Sequence, residues 1–251
     1  MELFVTGKTL PDAYHAALMS LKTNGEVVDC SDWNTTCLDS SMTIVVEKPI
    51  AEPMISKCFI GGPAELRQYE MEMLNGILDF EVEKGNWAYT YHDRMVNYAG
   101  KDQIRFVVDE LKRNPSSRRA VIIIRSSDDI GSEDPACLQH IQYFIKNNKL
   151  DCKVLFRSND ACKASFMNMF ALIMLQRQIA FELAVEMGTY THRANSYHCY
   201  EKDFGLLDGY VKRITENPDS CTADYKDDWR EMMDEANHSI LQKVNELKER
   251  K

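Results

Sequence analysis

One long apolar segment constrains the fold of this 251-residue chain more than any other feature. Residues 165–184, SFMNMFALIMLQRQIAFELA, would be apolar on nearly every side of a helix. Because such a helix has no polar face to leave in water, it belongs in the middle of a domain. No stretch of the chain approaches the roughly twenty apolar residues of a membrane span. We therefore expect a buried core helix and no membrane association.

The residues before this segment have the character of strands. Residues 120–126 (AVIIIRS), 140–145 (HIQYFI) and 150–158 (LDCKVLFRS) are rich in β-branched and aromatic side chains. Between the last two, KNNK predicts a hairpin turn although it lacks glycine.

Earlier in the chain, hydrophobic periodicity and turn residues predict further elements. Helices are predicted at 10–21, 63–78 and 101–113, and a short strand at 42–46. The chain length suits one large domain, residues 1–251.

The C-terminal residues 222–251 are predicted to form an amphipathic helix packed on the body or on a partner chain. Apolar side chains recur along one side of this segment: Trp229, Met232, Met233, Ala236, Ile240, Val244 and Leu247.

Composition limits the classes of partner and the compartment. The net charge is −9, with a sequence pI near 5.2, which argues against a broad nucleic-acid surface because phosphate binding needs clustered Lys and Arg. A small anionic ligand remains compatible, since a few converging arginines can form a local positive site. The eight cysteines show no paired short spacings, and the first residues lack the basic-then-apolar order of a signal peptide. We expect reduced thiols and a cytoplasmic protein.

The cysteine in DPACLQHIQY has two interpretations. Cys137 follows a proline turn and precedes an apolar strand. It is either a nucleophile presented at the start of the strand or a small residue packed in the core. The choice depends on which side chains the fold brings to its sulfur.

Two arginine-containing segments flank this cysteine along the chain. In NPSSRR, Arg118 and Arg119 precede a strand, and they are either solvated surface charges or an oxyanion clamp, since guanidinium groups suit phosphate oxygens. In FRSND, Arg157, Ser158 and Asp160 close a strand, where sites are often assembled. The alternative is a turn that uses Asn and Asp for their backbone tolerance.

Further candidates lie on and after the apolar helix. Asn168 carries both a donor and an acceptor that match N3–H and O4 of uracil, although it could simply satisfy backbone groups at the helix start. On a strand, His198 and Tyr200 would share one face and could hold a sugar hydroxyl. A zinc site is the weakest interpretation, because its ligands lack a second matched pair. That grouping would contain Cys137, His140, His198 and Cys199.

The order of these motifs is more informative than any one of them. Cys137 follows Arg118 by nineteen residues, Arg157 follows Cys137 by twenty, and Asn168 follows Asp160 by eight. His-x-Tyr comes thirty residues later. This series resembles the thymidylate synthase family, which includes the phage deoxycytidylate hydroxymethylases. The resemblance is firm over residues 89–203, looser in the helix at 63–78, and absent from the first sixty and last thirty residues.

The resemblance implies an α/β (α+β) fold with one large mixed sheet flanked by helices. It implies a homodimer formed through the sheet face, in which Arg118 and Arg119 reach the nucleotide phosphate of the partner's site. Arg157 and Ser158 would bind phosphate in their own site.

The resemblance also implies a chemistry for each remaining candidate. Cys137 as thiolate would add to C6 of a pyrimidine nucleoside monophosphate, making C5 nucleophilic. A nearby guanidinium such as Arg157 would lower the thiol pKa. In RQYEMEML, Glu70 is implied as the general acid and base, with Glu72 as the competing choice.

Five side chains would contact the base, the sugar or the pterin. Asn168 would orient the base, and His198 and Tyr200 would hold the sugar. Asp160 would lie near the ring and the pterin, and Tyr91 is implied as a further substrate-binding residue. The co-substrate implied is 5,10-methylenetetrahydrofolate or a related reduced pterin, with no metal.

Two departures from the family pattern leave the product open. Many synthases have His directly after the nucleophile, where this chain has Leu138. The sequence also continues into a charged helix, where common bacterial enzymes end in a short apolar tail. Both departures favour capture of the intermediate by water, because hydride transfer depends on excluding solvent.

The amide of Asn168 favours uracil over cytosine as the base of the substrate, since the deoxycytidylate enzymes have Asp at this position. Conversion of dUMP to dTMP is therefore the first hypothesis, and hydroxymethylation of dUMP or dCMP is the second. A non-catalytic nucleotide or RNA binder is the third, and a retained nucleophile argues against it.

Overall fold

The computed structural model describes residues 1–249, which contain both strands and helices. The strands are β1 (Glu2–Gly7), β2 (Glu26–Cys30), β3 (Thr35–Val46), β4 (Ile55–Ser56), β5 (Val121–Ile123), β6 (Leu138–Lys146), β7 (Lys149–Phe156), β8 (Asn159–Asp160), β9 (Glu186–Tyr200) and β10 (Thr222–Ala223). The helices are α1 (Leu10–Asn24), α2 (Pro63–Asn75), α3 (Phe80–Glu83), α4 (Tyr91–Val96), α5 (Gln103–Arg113), α6 (Ser165–Glu182), α7 (Phe204–Glu216), α8 (Arg230–Glu235) and α9 (Asn237–Glu249).

Eight of the strands form one large mixed sheet, as predicted. Its order is β1-β3-β9-β7-β6-β5, with β2 beside β3 and β8 beside β9. Strand β9 is parallel to β7 and antiparallel to β3, so the sheet mixes both senses. The N-terminal residues, whose contribution the sequence left open, supply β1, β2 and β3 of this sheet together with α1.

Helix α6 lies against the sheet and is buried on most sides, which confirms the prediction for the apolar segment. Side chains on the covered face of the sheet, such as Ile44, Tyr190 and Ala194, are fully buried. Alternate residues of the strands lie on the opposite face and are exposed to solvent: Phe4 is 66% exposed and Ile123 is 47% exposed. The sheet thus has one packed face and one uncovered face.

The short elements follow from local chemistry. The β6–β7 hairpin turns through Asn147 and Asn148, both at positive φ, as predicted from KNNK. Helix α2 ends at Asn75 because Gly76 adopts φ 61°, and a Cβ there would collide with the side chains of Asp79 and His92.

The C-terminal segment corrects the prediction of one helix over residues 222–251. Thr222 and Ala223 pair with β4, and the Glu52 carboxylate accepts the backbone N–H groups of Tyr225 and Lys226, so a π-helical turn begins at Tyr225. Helices α8 and α9 are then separate. Residues 250 and 251 of the predicted helix lie outside the described residues.

Helix α9 packs on the outer side of α2 and α3. Ile240 and Val244 form a small cluster with Met71, Ile77 and Phe80. No helix in the described part of the chain is long and apolar enough to cross a membrane.

Candidate active site

Cys137 lies at the turn that leads into β6 and is half-buried. Its backbone carbonyl accepts the N–H of Arg157 at 2.8 Å. Burial raises the pKa of the Cys137 thiol, the Arg157 guanidinium opposes that rise, and the Asp134 carboxylate adds to it. The sulfur therefore lies in a partly dry position with one positive and one negative group acting on it.

The Arg157 side chain fixes the turn before the cysteine. Its Nε donates to the carbonyl of Ala136 at 3.2 Å, and its Nη2 donates to the carbonyl of Pro135 at 2.7 Å. Arg157 also lines a shallow groove on the open face of the sheet together with Arg125 and Asn195. The guanidinium thus lies between the cysteine turn and the uncovered sheet face.

A cavity of about 520 Å³ lies beside the cysteine turn. The Tyr91 hydroxyl accepts the backbone N–H of Leu138 at 3.3 Å, which places this phenol at the residue after Cys137. The cavity wall combines aromatic, aliphatic and acidic side chains. They include Tyr69, Glu72, Met73, Leu78, Trp87, Tyr89, Tyr91 and Asp134.

Asn168 lies in the first turn of α6 with only 4% of its surface exposed. The hydroxyl of Tyr69, on α2, donates a hydrogen bond to its Oδ1. Burial raises the pKa of Tyr69, and the charges of Glu72 and Cys137 raise it further. The phenol therefore stays protonated and joins the amide to the cavity.

The two candidate glutamates of α2 occupy different surroundings. Glu70 is 6% exposed and forms an ion pair with Arg67 at 2.8 Å. Glu72 lines the cavity and accepts a hydrogen bond from Gln68 at 2.9 Å. Burial raises the pKa of both carboxyls, and Arg67 opposes this rise only at Glu70. The geometry favours Glu72, the competing choice, as the carboxylate of the cavity.

His198 and Tyr200 lie together on β9, with ring centroids 4.8 Å apart. Nδ1 of His198 lies 3.4 Å from Oγ of Ser158 and 3.3 Å from Oγ of Ser196. Burial lowers the pKa of His198 more than the nearby carboxylates of Asp160 and Asp39 raise it, which favours the neutral ring. Oδ1 of Asp160 accepts hydrogen bonds from the backbone N–H groups of Cys162 and Lys163, both at 2.9 Å. These bonds stabilise the turn, which is the alternative that the sequence offers for Asp160.

Arg118 and Arg119 lie outside this group. Both are exposed between α5 and β5, at the margin of the open sheet face. Their position is compatible with contact to a second chain and does not place them on the cavity of their own subunit.

The grouping considered for zinc is not assembled. His140 lies in the groove on the open sheet face, whereas Cys199 is fully buried, with its Sγ 3.7 Å from that of Cys162. Residues 1–249 contain no cluster of three or more His, Cys, Asp or Glu side chains suited to a metal ion.

Sequence reasoning missed part of the cavity wall. The sequence motifs do not identify four residues of this wall: Tyr69, Trp87, Tyr89 and Asp134. The aromatic run WAYTY at 87–91, which leads into α4, is a signal for Trp87 and Tyr89, although hydrophobic periodicity does not predict its structure.

Comparison with known proteins gives consistent results. The family model described as thymidylate synthase matches residues 63–238. A protein of Methanocaldococcus jannaschii described as "Putative thymidylate synthase" is 32% identical over 220 residues, covering 83% of this chain and 96% of the relative. Thymidylate synthase of Bacillus licheniformis is 34% identical over 131 residues, covering 50% of this chain and 47% of the relative.

A solved structure shares the fold. Thermostable thymidylate synthase A from Bacillus subtilis matches with a TM-score of 0.64 at 18% identity, covering 81% of this chain and 84% of the solved one. The predicted large mixed sheet with flanking helices is therefore confirmed as the fold of that enzyme.

Proposed function

The chain belongs to the thymidylate synthase family of one-carbon transferases, and from that premise we propose that it methylates C5 of dUMP to give dTMP. The observation that carries the proposal is the position of the half-buried Cys137. The Arg157 guanidinium acts to lower the pKa of its thiol, and a cavity lies beside the cysteine turn. Tyr69 lines that cavity and donates a hydrogen bond to the amide of Asn168. A packed core cysteine would not need these surroundings.

Cys137 is the nucleophile of the proposed reaction. Its thiolate adds to C6 of the uracil ring, an S–C6 bond forms, and the π electrons of the C5–C6 bond move toward O4 as an enolate. C5 would then attack the one-carbon unit of the bound folate. Loss of the C5 proton and cleavage of the bond between that carbon and the folate nitrogen would leave an exocyclic methylene on C5. Hydride from the folate would convert this methylene to a methyl group as the thiolate leaves C6. Covalent catalysis of this kind replaces one difficult step with two easier ones.

Asn168 orients the base, and Glu72 moves protons. The amide offers a donor to O4 and an acceptor to N3–H, which suits uracil. Glu72 lies in the cavity with a raised pKa, so it exchanges a proton more readily near neutral pH than an exposed carboxyl does. Glu70 remains the alternative, with the ion pair to Arg67 against it.

The sugar and phosphate are assigned to a second group of side chains. The neutral ring of His198 and the hydroxyl of Tyr200 would hold the sugar hydroxyl, with Asp160 near the base. Ser158 and Arg157 would bind phosphate, and Arg118 and Arg119 would complete that site from a second subunit. The open sheet face, with Phe4 and Ile123 uncovered, supports a homodimer that buries it.

The cavity also fits a reduced folate. Its volume of about 520 Å³ is within the range of small-molecule sites. Trp87 and Tyr89 offer flat aromatic faces for a pterin ring, and Leu78 adds an apolar contact. Tyr91 closes the end of the cavity next to Cys137. When bound, methylenetetrahydrofolate would supply the one-carbon unit and the hydride that makes it a methyl group.

A product assay tests the proposal. The purified protein is incubated with methylenetetrahydrofolate and either dUMP or dCMP, and the nucleotides are identified by mass. We expect dUMP to gain one methylene unit with dihydrofolate as the second product. A hydroxymethyl nucleotide with tetrahydrofolate would overturn this choice.

Hydroxymethylation is retained as the second candidate because two observations favour it. The residue after the proposed nucleophile is Leu138, whose side chain is apolar and fully buried. It offers no polar side-chain group to the cavity. Among the described residues, none from α8 or α9 lines the cavity, so these helices do not seal it against water.

A further inference from the structure

We infer that Tyr69 is the positioning residue that sets the choice between uracil and cytosine. This inference rests on the proposed function, since it assumes that the site binds a pyrimidine nucleotide next to Asn168. Its basis is the hydrogen bond in which the Tyr69 hydroxyl donates to Oδ1 of Asn168.

The bond fixes which way the amide faces. An Asn side chain has an acceptor and a donor end of almost equal size, so only its hydrogen bonds decide its orientation. With one lone pair of Oδ1 engaged by the phenol, the second lone pair can still accept N3–H, and the group left to donate to a ligand is Nδ2. That group donates to O4 of uracil, whereas the 4-amino group of cytosine would meet it as a second donor.

The reversed amide would leave the phenol proton without an acceptor. Within residues 1–249, the Tyr69 hydroxyl donates a hydrogen bond to one acceptor, Oδ1 of Asn168. Asn168 is buried and Tyr69 is partly buried, so an unmatched donor at this contact is costly. The phenol also stays protonated over the working pH range, because burial and the nearby Glu72 and Cys137 charges oppose its ionisation.

The position of Tyr69 suits this role. It lines the cavity on α2, while Asn168 comes from α6, so the bond joins the two helices at the wall of the site. Nε2 of Gln68 donates a hydrogen bond to Oε1 of Glu72 at 2.9 Å. The Tyr69 hydroxyl therefore does not compete with Gln68 for the same partner.

The test compares two matched removals of a hydroxyl. Tyr69→Phe deletes the bond to Asn168. Tyr98→Phe deletes a bond of 3.0 Å to the carbonyl of Arg125, away from the cavity lining, and serves as the control. Binding of dUMP and of dCMP to each protein is measured by titration calorimetry, and folding is checked by thermal unfolding.

We expect wild type and Tyr98→Phe to prefer dUMP to the same degree. In Tyr69→Phe that preference should fall about three- to tenfold, the effect of losing one orienting hydrogen bond. A dUMP preference unchanged in folded Tyr69→Phe overturns the inference and leaves the proposed function intact. Binding of neither nucleotide by the wild type overturns both.

Discussion

At the scale of single residues, the proposed chemistry depends on Cys137, whose surroundings shift its pKa in opposite directions. Partial burial and Asp134 favour the neutral thiol, and Arg157 favours the thiolate. The balance leaves the pKa above the ordinary value of about 8.5. In the proposed mechanism, substrate binding would complete the activation of the thiol.

Reactivity of Cys137 should follow from this balance. Because the folded pKa is raised, the thiolate fraction keeps growing as pH rises through values above about 8.5, and so should the rate of alkylation by iodoacetamide. Arg157→Gln removes the opposing positive charge and should shift the profile to higher pH. The rates are measured by peptide mass spectrometry, with the half-buried Cys30 in the same samples as the internal control. A shift to lower pH would contradict the assignment.

The two glutamates of α2 can be separated by a matched pair of variants. Glu72→Gln should lower kcat by about 10²- to 10⁴-fold with little change in stability, since a proton-transfer group of the cavity is lost. Glu70→Gln should mainly lower the free energy of unfolding, by about 1–2 kcal/mol, because it weakens the bond to Arg67. Steady-state kinetics and urea unfolding of both variants distinguish the roles. A folded but inactive Glu70→Gln beside an active Glu72→Gln would reverse them.

At the scale of elements, the sequence predicted α1, α2, α5, α6 and the β6–β7 hairpin from periodicity and turn residues. Those signals are local and do not depend on the rest of the chain. The break between α8 and α9 was not predictable in this way, because it depends on distant partners: Glu52 caps the π-helical turn and Arg67 binds Asn237 at 2.8 Å.

The same limit applies to the site. The order of Cys137, Arg157 and Asn168 along the chain carried the resemblance to a family. The sequence does not show whether Tyr69 and Glu72 or Glu70 face the cavity. Tertiary packing alone decides which side of α2 lines it.

The attachment of α9 can be tested by substitution at adjacent positions. Ile240→Ala should lower the free energy of unfolding by about 2–4 kcal/mol, because Ile240 is 3% exposed in the cluster with Phe80. Leu241→Ala is the control: Leu241 is 44% exposed, and the change should stay within about 0.5 kcal/mol. Urea unfolding measures both. Equal effects would mean that α9 does not pack as described.

At the scale of the whole molecule, the uncovered sheet face and the exposed arginines suggest a site completed by two chains. If Arg118 and Arg119 act across a dimer, a protein lacking both can be rescued by one lacking Cys137. Mixing Cys137→Ala with the Arg118→Ala/Arg119→Ala double variant would give one complete site in each mixed dimer. With free subunit exchange, turnover should recover to about a quarter of wild type.

Each variant alone serves as the control and should remain inactive. Native mass spectrometry of the mixture confirms that mixed dimers form. Mixed dimers without recovered turnover would show that the two arginines serve their own subunit or no phosphate site at all.

The central claim is that the sulfur of Cys137 bonds to C6 of a uracil nucleotide, and trapping that bond is its most direct test. The protein is incubated with 5-fluoro-dUMP and methylenetetrahydrofolate, denatured, and weighed intact by mass spectrometry. We predict a covalent complex containing both molecules, mapped to the peptide of Cys137 and absent from Cys137→Ala. Folded wild-type protein that gains no mass, or that carries the nucleotide on another residue, would contradict the account.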